Sequence, residues 1–126
     1  MPALYDTDIL IDLLRGKPEA RSALNGDRPD IFVSVITVAE LYQGVRDGHE
    51  RQTLMELLAE LIVLDVNEDI AREGGLHRRA YKQSHGSGLS DCLIAATAQQ
   101  YSLTLKTLNV RHFPMLRDVA APYQKQ

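Results

Sequence analysis

The stretch ALYDTDILIDLL, residues 3–14, decides the fold prediction. Three apolar residues lead into Asp6, and the apolar residues after it share one helical face: Ile9, Leu10, Leu13 and Leu14. The stretch therefore predicts a strand that runs directly into a helix. Asp8 then falls in the first helical turn, and Asp12 is predicted to face solvent. The junction at Asp6 matters because parallel α/β sheets bind ligands beyond the carboxyl ends of their strands.

The alternation of strand and helix continues along the rest of the chain. Apolar runs at residues 31–33, 62–64 and 103–105 predict three further strands, separated by segments with helical periodicity. Residues 67 to about 82 are predicted to form a helix that two adjacent glycines weaken, and Ser90 is predicted to cap a helix that runs to Tyr101. This order favours an α/β domain with a mostly parallel sheet covered on both faces.

The composition predicts one domain and limits the kinds of function. With 126 residues, of which 44% are hydrophobic, we expect a single domain over residues 1–126, because two ordinary domains need a longer chain. A formal charge of −3 argues against a protein that coats nucleic acid nonspecifically. The absence of a charged and apolar leader and of an apolar run near the roughly 20 residues of a membrane span predicts a cytoplasmic protein.

Basic residues concentrate in one segment. From Gly74 to Ser90 there is no carboxylate, and Arg78, Arg79 and Lys82 lie in this segment. A solvated helix face explains such a run without any function. If the chain binds RNA, these three residues are the candidates for phosphate contacts.

Three acids lie where the predicted elements begin or end. Asp6 follows the first strand, Glu40 interrupts the apolar stretch of residues 31–42, and Asp91 opens the helix after Ser90. Each acid alone has an ordinary structural explanation. Asp6 can be an N-cap, Glu40 can pair with an arginine, and Asp91 can interact with a helix dipole.

As a set, the three acids predict a metal site. Carboxylates that converge at the same edge of a sheet repel one another unless a cation lies between them. An all-oxygen ligand set suits Mg²⁺ or Mn²⁺, and such an ion can activate water for hydrolysis of a phosphodiester bond. The pattern therefore favours a metal-dependent nuclease.

Four segments resemble the acidic motifs of PIN-domain proteins of the VapC toxin kind. They are LYDTDILIDLLRG (4–16), SVITVAELYQGV (34–45), GLSDCLIAATAQQY (88–101) and TLNVRHF (107–113). The resemblance implies a three-layer α/β/α sandwich and cleavage of RNA by a Mg²⁺- or Mn²⁺-dependent endoribonuclease. It also implies a homodimer and a cognate VapB-like antitoxin that blocks the groove.

The resemblance assigns roles to particular residues. Asp6, Glu40 and Asp91 match the metal-binding acids of the family, with Thr7 and Ser90 as neighbouring polar support. At the fourth position, where many relatives have an aspartate, the chain has Asn109, with His112 nearby. Asn109 is therefore included in the expected catalytic set, and a second ion is expected to bind weakly.

Three alternatives remain at this point. The DTD segment is also typical of haloacid-dehalogenase-type phosphatases, although the threonine expected after that acid pair is missing and Glu40 would have no task. A phosphoacceptor signalling module could use Asp65 and Lys106, each of which ends an apolar run. A catalytically inactive PIN-fold binding module would keep the fold without the reaction.

Overall fold

The computed structural model describes residues 2–125, so Met1 and Gln126, the ends of the predicted domain, lie outside it. Within this range the strands are β1 (Ala3–Tyr5), β2 (Ile31–Ser34), β3 (Ile62–Leu64), β4 (Thr104–Lys106) and β5 (Val119–Ala120). The helices are α1 (Thr7–Leu14), α2 (Pro18–Asp27), α3 (Val35–Gly44), α4 (His49–Ala59), α5 (Glu68–His85) and α6 (Leu89–Gln100). A short 3-10 helix spans Val110–His112.

All strands of the sheet are parallel, in the order β3-β2-β1-β4-β5. The first strand therefore lies in the centre, between β2 and β4. Alternate residues of β1 enter different cores, because successive side chains of a strand point to opposite faces. Tyr5 belongs to the core with α1 and α2, whereas Leu4 belongs to the core with α6. The predicted three-layer α/β/α sandwich is confirmed.

The last strands differ from their predicted positions. The fourth strand is Thr104–Lys106 rather than residues 103–105, and β5 was not predicted. A two-residue strand carries too little apolar alternation to be recognised in a sequence. It forms because Leu105 and Lys106 pair with Val119 and Ala120 on the neighbouring strand.

Two predicted helix boundaries need correction. Ser90 does not cap α6, because the helix begins at Leu89 and Gly88 is its N-cap. The acid three residues after the cap sets this start: Asp91 Oδ2 accepts a hydrogen bond from Gly88 N over 3.3 Å. Helix α5 continues beyond the predicted end near residue 82 to His85, where Gly86 in the left-handed conformation (φ 65°) ends it.

The glycine pair predicted to weaken α5 lies inside a continuous helix. Gly74 packs against α6 so closely that a Cβ atom there would be 2.7 Å from Leu93 Cδ2. Gly75 faces open space. The first glycine therefore permits the close approach of α5 to α6, the helix that carries Asp91.

Asp12 does not face solvent as predicted. It is 7% exposed, and its Oδ2 accepts a hydrogen bond of 2.7 Å from the Tyr123 hydroxyl. The ammonium group of Lys17 lies 3.6 Å from the other carboxylate oxygen. Tyr123 thus covers Asp12 on α1. A local sequence pattern could not indicate this contact, because the two residues are far apart in the sequence.

No helix within residues 2–125 is both long enough and apolar enough to cross a membrane. Cys92 is a buried free cysteine.

Candidate active site

Asp6 lies at the junction of β1 and α1, at the carboxyl end of the central strand. Its Oδ1 accepts a hydrogen bond of 2.8 Å from Thr7 N, which makes it the N-cap of α1. Its Oδ2 accepts one of 2.7 Å from the hydroxyl of Thr107, which follows β4. The ordinary interpretation as an N-cap is therefore correct, and the same carboxylate also faces the neighbouring strand end.

The environment of Asp6 disfavours its negative charge. Burial is the largest cause, and the nearby carboxylates of Asp8 and Asp91 add to it, so the pKa of Asp6 is raised to about 7. The hydrogen bonds from Thr107 and from Thr7 N lower the pKa without offsetting these effects. A buried carboxyl beside two further acids is an arrangement that a cation would stabilise.

Glu40 reaches the same region from α3. The Thr7 hydroxyl donates a 2.6 Å hydrogen bond to Glu40 Oε1 and lies 3.0 Å from the Thr37 hydroxyl. Thr37 and Glu40, which are three residues apart, therefore lie on the same side of α3. Within residues 2–125 Glu40 has no ion pair, so the alternative of a salt bridge to an arginine is not realised there.

Asp91 faces the 3-10 helix that follows β4. Besides its bond to Gly88 N, Asp91 Oδ2 lies 3.5 Å from His112 Nδ1. The Ser87 hydroxyl donates to the carbonyl oxygen of His112 over 2.7 Å, which fixes the loop before α6 to this turn. Asp91 is close enough to Asp6 to raise the pKa of that residue, but the groups that it contacts are Gly88 N and His112 Nδ1.

Asn109 lies beside the acids, but its side-chain nitrogen faces Asp8. Asn109 Nδ2 donates to Asp8 Oδ2 over 3.2 Å, and Leu108 N donates to the same oxygen over 2.9 Å. Asp8 was not among the predicted site residues. The signal that could have identified it is its position two residues after Asp6, where a helix start brings both carboxylates to the strand end.

The acids do not form a ready-made metal site. Within residues 2–125, no group of three or more His, Cys, Asp or Glu side chains is arranged so that it could hold a metal ion. Glu40 is bonded to Thr7, and Asp91 lies against His112. These contacts use Oε1 of Glu40 and Oδ2 of Asp91, so binding of one ion by all three acids would require the carboxylates to move closer together. The hard oxygen donors and the raised pKa of Asp6 nevertheless fit a divalent cation.

The three basic candidates lie on α5, which packs against α6. Arg79 and Lys82 are exposed and Arg78 is partly buried. Within residues 2–125 the side chains of these three residues make no hydrogen bond and no ion pair. The positive charge of Arg78 acts on Cys92, next to Asp91. Contact between these residues and RNA stays a prediction.

A cavity of about 590 Å³ opens beside Glu40 between α1, α3 and α4. Its walls combine apolar and charged side chains, namely Ile11, Leu14, Arg15, Leu41, Val45, Arg46, His49 and Glu50. It includes Glu40 but neither of the other two predicted metal-binding acids. The cavity is therefore a groove that leads to one edge of the acidic site.

The geometry excludes the signalling alternative. Asp65 follows the edge strand β3, and Lys106 ends β4, with β2 and β1 between them. The ammonium group of Lys106 instead lies 3.5 Å from Asp27. The aspartate and lysine of a phosphoacceptor site are thus not brought together.

Comparison with known proteins shows the family of this chain. The family model for the PIN domain matches residues 3–117. The chain belongs to the PIN-domain family. Similar curated members include Ribonuclease VapC10 of Mycobacterium tuberculosis, which is 45% identical over 95% of this chain and 92% of the relative. Ribonuclease VapC19 of the same organism is 43% identical over 95% of this chain and 98% of the relative.

Solved structures show the same PIN-domain fold. A toxin-antitoxin complex from Klebsiella pneumoniae aligns with a TM-score of 0.85 and 35% identity, over 98% of this chain and 99% of the other. FitAcB from Neisseria gonorrhoeae aligns with a TM-score of 0.77 and 30% identity, over 95% and 97%. The predicted family and fold are therefore confirmed.

Proposed function

We propose that this PIN domain is an endoribonuclease that depends on Mg²⁺ or Mn²⁺, a single catalytic domain over residues 1–126 that acts in the cytoplasm. The observation that carries the proposal is the environment of Asp6. Burial of its carboxyl, together with the nearby carboxylates of Asp8 and Asp91, raises its pKa to about 7. A divalent cation would remove this repulsion, and relatives that share 43–45% of the sequence are named ribonucleases.

Asp6, Glu40 and Asp91 are the residues that would hold the ion. When bound, the ion supplies an activated water and neutralises charge on the phosphate oxygens. Thr107 and Thr7 N orient the Asp6 carboxylate, and the Thr7 hydroxyl orients Glu40. We assign the approach of RNA phosphates to the basic face of α5, formed by Arg78, Arg79 and Lys82.

We further propose that the chain is the toxin of a toxin–antitoxin pair and forms a homodimer. The support for the toxin role is the similarity to a protein solved as a toxin-antitoxin complex. A VapB-like antitoxin can inhibit by presenting an arginine to the acids, because a guanidinium pairs bidentately with carboxylates that otherwise repel. The groove beside Glu40 offers apolar walls for the rest of such a segment.

The test compares two substrates with the purified chain. End-labelled cellular RNA and p-nitrophenyl phosphate are incubated with Mg²⁺, with Mn²⁺ or with excess chelator, and Asp6→Asn serves as the inactive control. We expect internal cuts in RNA that need metal and Asp6. Release of phosphate without RNA cleavage would instead favour the phosphatase, and RNA binding without either reaction would favour the inactive module.

A further inference from the structure

Asp8 connects the start of α1 to the turn after β4. Its Oδ2 accepts hydrogen bonds from Leu108 N (2.9 Å) and Asn109 Nδ2 (3.2 Å), and it lies 3.4 Å from the Thr107 hydroxyl. The same hydroxyl donates to Asp6 Oδ2 over 2.7 Å. The carboxylates of Asp6 and Asp8 are therefore neighbours that share one hydroxyl group.

The second oxygen of Asp8 takes no part in these contacts with residues 107–109. Asp8 Oδ1 is buried and has no hydrogen-bond partner within residues 2–125. An unpaired buried carboxylate oxygen is unfavourable because it loses its hydration without replacing it. A cation shared with Asp6 would supply the missing interaction.

Asn109 cannot contribute the charge that an aspartate would bring to this position. Its amide nitrogen donates a hydrogen bond to Asp8. The negative charge on this side of the site is therefore that of the Asp8 carboxylate, which is the hydrogen-bond partner of Asn109. Asp8 thus supplies the negative charge that an aspartate at position 109 would bring.

We propose that Asp8, rather than Asn109, is the fourth acid of the site and strengthens the binding of a divalent cation at Asp6. The inference rests on the proposed metal dependence of this same site. It assigns a role to an acid that would otherwise only fasten the turn of residues 107–109.

The test measures Mn²⁺ binding to the full-length, metal-free chain by calorimetry, without any RNA. Asp8→Asn keeps a side chain of the same shape and removes the charge. We expect its Kd to rise by about 10–100-fold, the usual effect of altering groups that support metal ligands. The double variant Asp8→Asn with Asn109→Asp moves the charge by one hydrogen bond and should recover most of the affinity.

A matched control is Asp30→Asn, which removes an exposed carboxylate just before β2, at the amino ends of the strands. Its Kd should equal that of the wild type. Asp8→Ala removes both the charge of Asp8 and its hydrogen bonds to the turn of residues 107–109. If Asp8→Asn binds Mn²⁺ like the wild type and only Asp8→Ala fails to bind it, Asp8 merely holds the turn in place and the inference is wrong.

Asp6→Asn distinguishes this inference from the proposed function. Loss of Mn²⁺ binding in Asp6→Asn with unchanged binding in Asp8→Asn would overturn the inference alone. Unchanged binding in both variants would overturn the metal site itself. If Asp8→Asn does not fold, Asn109→Ala decides, because it removes the amide while Leu108 N still holds the Asp8 carboxylate. Its Kd for Mn²⁺ should stay near that of the wild type, and a Kd raised as far as in Asp6→Asn would contradict the proposal.

Discussion

Two adjacent glycines of α5 allow a sharp test of how α6 is positioned. An ideal Cβ on Gly74 would lie 2.7 Å from Leu93 Cδ2 and 3.1 Å from Leu93 Cα. The second contact is with backbone, so a rotamer change cannot relieve it. A Cβ on Gly75 would meet no atom within 4 Å. Gly74→Ala and Gly75→Ala therefore make the same chemical change, but only Gly74→Ala creates a clash with Leu93.

The two effects on the free energy of unfolding can be compared. Within a helix, glycine to alanine stabilises by about 0.8–1 kcal/mol. Gly75→Ala should gain up to this amount. Gly74→Ala gains the same propensity but overpacks the interface of α5 with α6, which costs about 1–3 kcal/mol. We expect Gly74→Ala to be the less stable of the two by about 1–3 kcal/mol.

Urea unfolding, followed by circular dichroism, measures both variants against the wild type. The dependence of the unfolding free energy on urea concentration should be the same for all three proteins. The unfolding midpoint of Gly75→Ala should lie above that of the wild type, and the midpoint of Gly74→Ala should lie below that of Gly75→Ala. Equal stabilisation of the two variants would refute the close approach of α5 to α6. Because α6 carries Asp91, Gly74→Ala should also weaken RNA cleavage, whereas Gly75→Ala should not.

Three further predictions concern the acids and the basic face. Because the pKa of Asp6 is raised to about 7 in the folded protein from an ordinary value of 3.8, the folded protein binds more protons than the unfolded chain between these values. The stability of the metal-free protein should therefore fall as pH rises from about 4 to about 7. Urea unfolding across this range checks it, and a wild-type profile matching that of Asp6→Asn would contradict the assignment. Mg²⁺ or Mn²⁺ should raise the melting temperature, with a stabilisation of about 2.7 kcal/mol at a hundredfold excess over Kd; a curve indifferent to metal and to chelator would count against the site. Replacing Arg78, Arg79 and Lys82 together by alanine should weaken RNA binding and reduce its salt dependence, and an unchanged salt slope in a filter-binding titration would show that these residues form only a solvated face.

Much of the fold follows from local sequence patterns. The junction at Asp6 was predictable because an apolar run changes there to helical periodicity, and three of the strands follow from similar runs. The positions of Thr37 and Glu40 on one side of α3 follow from their spacing of three residues in a helix. In contrast, β5 depends on pairing with β4. Gly88 rather than Ser90 caps α6, because the Asp91 carboxylate accepts a hydrogen bond from Gly88 N. Such competition between neighbouring partners is decided in three dimensions.

The sequence pointed to Asp6, Glu40 and Asp91 as candidate site residues, but it did not indicate the contacts that the acids of this region make. Asp12 is buried by Tyr123, and Asp8 is fastened by Leu108 N and Asn109, which come from the other end of the chain. No periodicity of α1 could indicate these contacts. The sequence also placed Asn109 beside the site without showing that its amide nitrogen faces a carboxylate.

The most direct test of the proposed function is single-turnover RNA cleavage at saturating Mn²⁺ by the wild type and by three variants that change little volume. Asp6→Asn, Glu40→Gln and Asp91→Asn should each lower the rate by more than about 100-fold, beyond the usual effect of altering a supporting group. Combining them should cause little further loss, because the acids act as a unit. Asp30→Asn should cleave like the wild type. A near wild-type rate in any of the three acid variants, or cleavage that persists in excess chelator, would contradict the metal-dependent mechanism.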